Sequence, residues 1–148
     1  MNTTKWHKRF LNLAEYVAQW SKDPSTKTGS VIVRLDGTIA SVGYNGFPRG
    51  IEDKAELLYN REEKYKRVIH CEMNAILNAR GTVHGYTLYN WPFQSCERCS
   101  VHVIQSGIKL VVSPSLDTVP EDKIERWGDS WKVTEELFEE AGVEYIYI

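Results

Sequence analysis

The sequence predicts an α/β protein in which a mixed β-sheet is sandwiched between helices. Three observations carry that expectation. An amphipathic opening stretch is followed by two β-rich runs around a tight turn, residues 108–112 form a nearly continuous apolar run, and from Cys96 onward the pattern reads helix, strand, helix, strand. Strands alternating with helices after an opening hairpin imply a sheet covered by helices.

From Thr4 onward, Trp6, Phe10, Leu13, Val17 and Trp20 recur at spacings of four, three, four and three, one apolar face of a helix. Asp23-Pro24-Ser25 ends it, because proline cannot continue a helix and disfavours helical backbone in the residue before it. Residues 30–35 and 38–44 flank Asp36-Gly37, the turn chemistry of a hairpin. The second strand runs into Gly43-Tyr44-Asn45-Gly46-Phe47-Pro48-Arg49-Gly50, whose glycines suit either close approach to a ligand or a plain connection. Residues 51–68 are polar, with a short helix expected around 55–66; its charges are assigned to a solvated face or a subunit contact, and no chemistry.

Residues 72–80 read as a helix whose Met73, Ala75, Ile76, Leu77 and Ala79 are mostly core. A strand at 87–90, a turn at 91–95 carrying Trp91 and Phe93, and a helix at 96–106 closed by Gly107 follow. The run at 108–112 suits a strand covered on both faces. Two helices are expected at 121–127 and 131–141, the second ending before Gly142, and a last strand at 143–148.

At 148 residues, the chain 1–148 is expected to form a single domain large enough for its own core. A net charge of -2 argues against broad electrostatic capture of nucleic acid, so the expected partner is small. Three cysteines fit a reducing compartment better than a disulfide framework. No apolar signal region opens the sequence and no run has the length of a membrane span, so the expected location is cytoplasmic, with no membrane partner.

The chemistry concentrates in His70-Cys71-Glu72 and Cys96-Glu97-Arg98-Cys99, separated by the 23 residues 73–95. A catalytic zinc takes three protein ligands and keeps a fourth tetrahedral position for water, which His70, Cys96 and Cys99 would satisfy. Cys96 and Cys99 at i, i+3 share one face of a helical turn. Glu72 is too near His70 to chelate beside it and is placed instead as a general acid/base. Both motifs fall at helix amino termini, where the helix dipole favours thiolate and carboxylate charge. A Cys-x-x-Cys alone reads equally as a redox pair or a structural zinc half-site; His-x-Glu followed by Cys-x-x-Cys is the signature of zinc nucleobase deaminases. His102, three residues past Cys99, is not taken as a fourth ligand, because a closed site has no position for water. His7 and His84 are expected at the surface or in loops.

The chain resembles the deoxycytidylate (dCMP) deaminase branch of the cytidine deaminase superfamily along nearly its whole length. The resemblance rests on Ser21-Lys22-Asp23-Pro24-Ser25-Thr26-Lys27-Thr28-Gly29, Gly43-Tyr44-Asn45-Gly46, His70-Cys71-Glu72-Met73-Asn74-Ala75-Ile76, and Cys96-Glu97-Arg98-Cys99 with Gln105-Ser106-Gly107-Ile108. It implies a three-layer α/β/α sandwich on a five-stranded mixed sheet, one zinc per subunit, and hydrolytic deamination of dCMP to dUMP and ammonia, which supplies thymidylate synthesis. It further implies that Asn45 touches the sugar hydroxyl and that Ser25, Thr26 and Lys27, with Arg80 as a further candidate, hold the phosphate. A homo-oligomer, often a hexamer, regulation by dCTP and dTTP, and Mg2+ accompanying a regulatory triphosphate belong to the same implication.

Two positions depart from the common family pattern. Cys71 stands where many relatives carry alanine and is expected only to pack. Ser95 stands where they carry proline and is expected to cap the following helix. Trp91 and Phe93 read equally as a stacking wall for a base or as core. The competing functions are deamination of another substrate (cytidine, a 5-modified dCMP, guanine or transfer-RNA adenosine) and a non-catalytic zinc module that binds a nucleotide for regulation.

Overall fold

A computed structural model describes residues 3–148, and its centre is one five-stranded mixed sheet in the order β2-β1-β3-β4-β5. Helix α1 (Thr3–Ala18) leads into the antiparallel hairpin β1 (Gly29–Val33) and β2 (Ile39–Tyr44). Helices α2 (Ala55–Leu58), α3 (Arg61–Arg67) and α4 (Cys71–Asn78) precede β3 (Thr87–Trp91), which pairs antiparallel with β1. Then α5 (Glu97–Gln105), β4 (Leu110–Ser113), a 3-10 turn (Leu116–Thr118), α6 (Glu121–Ala141) and β5 (Glu144–Tyr147) add two parallel pairings, β3 with β4 and β4 with β5.

Alternation along the strands divides the core between the two faces of the sheet. Val31, Val33, Tyr89 and Val112 pack with Phe10, Leu11 and Ala14 of α1. Their neighbours Ile32, Leu88 and Val111 point the other way, into a cluster with Ala75 of α4, Val103 of α5 and Phe138 of α6. The molecule therefore has the expected three layers, with α1 on one face and α4, α5 and α6 on the other.

Several elements differ from their sequence reading. The buried face of α1 is His7, Phe10, Leu11, Ala14, Val17 and Ala18, while Trp20 is 50% exposed. Small Ala14 and Ala18 let the helix settle on Gly29, where an added Cβ would strike the Ala14 carbonyl oxygen and lie 2.7 Å from the Ala18 nitrogen. Strand β1 ends at Val33 because the Arg34–Thr38 backbone pair (2.8 Å) already closes the turn, in which Gly37 has φ 85°. The single helix expected at 55–66 is two, since Asn60 accepts the Glu63 N–H and starts α3 afresh. The two helices expected at 121–127 and 131–141 are one, α6, running through Gly128. Its end is as expected, with Gly142 in the left-handed conformation at φ 76°.

Gly43 serves packing and not a ligand. A Cβ there would press on the Ala75 nitrogen and come within 2.5 Å of the Cys71 carbonyl oxygen, so its absence lets α4 lie directly on β2. The register pairs Gly29 with both Tyr44 and Trp91, which brings the start of β1 and the ends of β2 and β3 side by side. That end of the sheet carries the cleft described next.

Candidate active site

His70 is the N-cap of α4 and Cys96 the N-cap of α5, both in extended backbone that turns into helix at the following residue. Cys99, one helical turn into α5, is buried and faces the same point. His70 Nδ1 lies 3.5 Å from Cys96 Sγ and 3.2 Å from Cys99 Sγ. The three ligand atoms fall within 4.8 Å of one another. Zinc bonds of about 2.3 Å to sulfur and about 2.05 Å to nitrogen, at a tetrahedral angle, place N and S roughly 3.5 Å apart. The trio is therefore already spaced for zinc, and its nitrogen and sulfur donors suit that ion. His102 is exposed on α5, with Nδ1 2.9 Å from the Arg98 carbonyl oxygen, and stands apart from the trio.

The electrostatics of the trio are those of a thiol pair sharing a hydrogen. The hydrogen bond from Cys99, with help from His70, brings the Cys96 thiol down, against the opposing effect of burial. Cys99, donating that hydrogen and buried, is pushed up. The hydrogen bond to Cys96 raises His70, and burial opposes it.

Glu72 sits in the first turn of α4 and is 5% exposed. Its Oε2 accepts a hydrogen bond from the Ser95 hydroxyl at 2.8 Å. Ser95 is thus not the helix cap that sequence suggested; Cys96 occupies that position and Ser95 turns inward to the carboxylate. Cys71 packs as expected: it is buried, its Sγ lies 3.1 Å from Ser30 Oγ, and burial raises its thiol well above the usual range.

His70, Cys71, Glu72 and Cys96 line one open cleft, and Cys99 is buried next to His70 and Cys96. Trp91, Phe93, Trp127 and Trp131 form one wall, with Phe93 and Trp131 ring centroids 5.1 Å apart. Asp23, Ser25, Thr26, Thr28 and Asn45 form the other. Asn45 is buried and holds that wall together: its Oδ1 accepts the Thr28 N–H at 2.9 Å and its Nδ2 donates to the Thr26 carbonyl at 2.8 Å. Asp23 Oδ1 accepts the Ser25 and Thr26 N–H groups and pairs with Lys64 Nζ at 3.0 Å, both side chains 8% exposed.

Of the expected substrate contacts, Ser25, Thr26 and Asn45 line the cleft. Lys27 is exposed and does not line it, although its neighbours Thr26 and Thr28 on either side do. Arg80 lies beyond the far end of α4, exposed at φ 53°, about a helix length from His70. Among the described residues the lysine and arginine that line the cleft are Lys64, from the segment assigned no chemistry, and Arg126 on α6. Lys123, one turn before Arg126, donates to Thr26 Oγ1 at 2.7 Å. The i, i+3 spacing of Lys123 and Arg126 was the available signal, but it acquires meaning only once α6 is docked.

Residues 4–114 match the family described as the cytidine and deoxycytidylate deaminase zinc-binding region. A deaminase of the luxG 3′ region in Aliivibrio fischeri is 41% identical over 145 residues, covering 98% of this chain and 95% of that protein. The deoxycytidylate deaminase of Homo sapiens is 35% identical over 150 residues, covering 95% of this chain and 78% of that enzyme. The crystal structure of the dCMP deaminase of cyanophage S-TIM5 in complex with dCMP and dUMP has a TM-score of 0.74 at 23% identity, over 100% of this chain and 99% of that one, a likeness of fold. The family match spans 111 of the 148 residues and takes in both halves of the zinc trio and the strand that joins them, so the chain belongs to the cytidine and deoxycytidylate deaminase family.

Proposed function

We propose that this chain is a zinc-dependent deaminase that hydrolyses dCMP to dUMP and ammonia. The observation that carries the proposal is a buried carboxylate, Glu72, beside a His70, Cys96, Cys99 trio spaced for zinc, in an aromatic-walled cleft. When bound, zinc supplies a water activated near neutral pH. Glu72 takes up a proton, delivers it to N3 of the pyrimidine so that C4 becomes electrophilic, and then carries a second to the exocyclic amine. One water is consumed, the C4–N bond breaks, and ammonia leaves. Trp91, Phe93, Trp127 and Trp131 bracket the base, and burial among them keeps bulk water from the reacting atoms.

For the rest of the nucleotide, Asn45 has a second lone pair on Oδ1 for a sugar hydroxyl. Ser25 and Thr26 are the phosphate contacts we retain, joined by Lys64 and Arg126 in place of Lys27 and Arg80. The relatives named deoxycytidylate deaminase support dCMP over other bases. We infer from the family resemblance a homo-oligomer, a hexamer, responsive to dCTP and dTTP with Mg2+ on the triphosphate. A single deaminase domain over residues 1–148 and a reducing, cytoplasmic setting accord with three free cysteines. No helix among the described residues is long and apolar enough to cross a membrane.

The test is ammonia release by zinc-loaded protein from dCMP, deoxycytidine, dCTP and 5-hydroxymethyl-dCMP, with and without added dCTP and dTTP. Turnover of dCMP in preference to the others is expected. Silence on every substrate, with zinc confirmed bound, would overturn the proposal in favour of another base or a non-catalytic zinc module.

A further inference from the structure

We infer that Ser95 is a positioning residue for Glu72, the end of a buried hydrogen-bonded relay that fixes one carboxylate oxygen and leaves the other for proton exchange. The inference rests on the deamination reading above for its kinetic consequence and on geometry for everything else. Ser95 Oγ donates to Glu72 Oε2 at 2.8 Å. The same Oγ accepts from Asn90 Nδ2 at 2.8 Å, so its own hydrogen is directed to the carboxylate. Asn90 Oδ1 in turn accepts the Ser30 hydroxyl at 2.7 Å. Ser30 and Asn90 are cross-strand partners on β1 and β3, which ties the relay to the centre of the sheet.

Every member is buried: Ser30 is 0% exposed, Asn90 and Ser95 1%, Glu72 5%. The donors all run one way, from Ser30 through Asn90 and Ser95, and end on Glu72 Oε2. A relay so arranged orders the carboxylate. Ser95 is itself held from behind, since its N–H donates to Gln94 Oε1 and its carbonyl accepts from the Thr134 hydroxyl of α6. Among the described residues Glu72 Oε1 takes a single long hydrogen-bond contact, from the Cys71 sulfur at 3.7 Å, and on this inference it is the oxygen that exchanges protons. The proline found at this position in the family signature has no hydroxyl, so the anchor depends on the residue that departs from that signature.

The experiment compares wild type, Ser95→Ala and Ser95→Thr by dCMP turnover, bound zinc, dUMP affinity and crystal structure. For Ser95→Ala we expect zinc stoichiometry and dUMP affinity to hold within about twofold while kcat falls roughly 10- to 100-fold, the scale of a small misplacement of a catalytic group. KM should move little, Ser95→Thr should recover most of kcat, and Glu72 should occupy more than one rotamer in Ser95→Ala crystals. Ser95→Cys, of similar size but with only a weak donor, serves if the alanine protein does not fold. Unchanged kcat, or a single unmoved Glu72 rotamer without the hydroxyl, overturns the inference. If wild type fails to turn over dCMP while Glu72 still loses its order in Ser95→Ala, the substrate reading falls and the positioning role stands.

Discussion

At the scale of single residues, Glu72 is the side chain whose removal is most informative. On the proposed function it carries protons and does not hold metal, since His70, Cys96 and Cys99 offer three metal ligands without it. Glu72→Gln preserves size and still accepts the Ser95 hydrogen bond, but a carboxamide cannot shuttle a proton. We expect bound zinc to remain at the wild-type ratio and kcat to fall about 10²- to 10⁴-fold, the usual contribution of a positioned acid/base. Metal analysis beside an ammonia assay checks it, and full turnover in the zinc-replete variant would remove Glu72 from its role. His7 is the residue the sequence placed wrongly, for it is buried with Nδ1 2.7 Å from the Tyr89 hydroxyl. Burial lowers its pKa below the ordinary value of 6.5. The unfolded chain then binds the proton more readily, so stability from His7 is present above about pH 6.5 and is lost as pH falls toward the folded value. His7→Gln, which keeps a hydrogen-bonding side chain without the titration, should lose less stability than wild type between about pH 7.5 and about pH 5.5. Urea denaturation at both pH values measures this, and parallel losses would exclude it.

At the scale of elements, the site exists because two helix starts and two strand ends meet. The approach of α4 to β2 sets the position of His70 and Glu72, and Gly43 permits that approach. Gly43→Ala would place a methyl against helix backbone, which has no side-chain freedom with which to yield. A cost of about 1–3 kcal/mol or more is expected, with a loss of activity beyond what the stability change explains, because α4 must shift. Denaturation midpoints and kcat of the folded fraction decide it; a neutral substitution would mean the contact is looser than it stands. Which elements were legible follows the same logic. The hairpin at Asp36-Gly37 and the end of α6 at Gly142 announce themselves through backbone conformations that glycine serves. The zinc trio was legible because its ligand spacing is local within each half. The continuity of α6 was not, because Gly128-Asp129-Ser130 is locally weak helix and what carries it through is burial of Trp131, Thr134 and Phe138 along one stripe. Lys64 was hidden for the opposite reason: it lies in a charged helix where no periodicity marks it, and only the fold brings Asp23 to within 3.0 Å.

At the scale of the whole molecule, the two sides of the sheet have cores of their own and neither includes the trio. The apolar clusters against α1 and against α4, α5 and α6 are complete without His70, Cys96 or Cys99. Zinc would instead join the start of α4 to the start of α5, two segments that reach each other only in the folded chain. Binding to the folded state alone stabilises it by mass action, about 2.7 kcal/mol when free metal is 100 times its dissociation constant. For a chain of this size that corresponds to a rise in Tm of roughly 5–10 °C. Chelation should therefore lower Tm by such an amount while leaving one cooperative transition and near-native far-UV circular dichroism, because the cores remain. Re-addition of zinc should restore Tm. A metal-free protein that melts without cooperativity would show that the trio is part of what folds the sheet, whereas an unchanged Tm after verified removal would mean that zinc does not bind the folded chain in preference to the unfolded one.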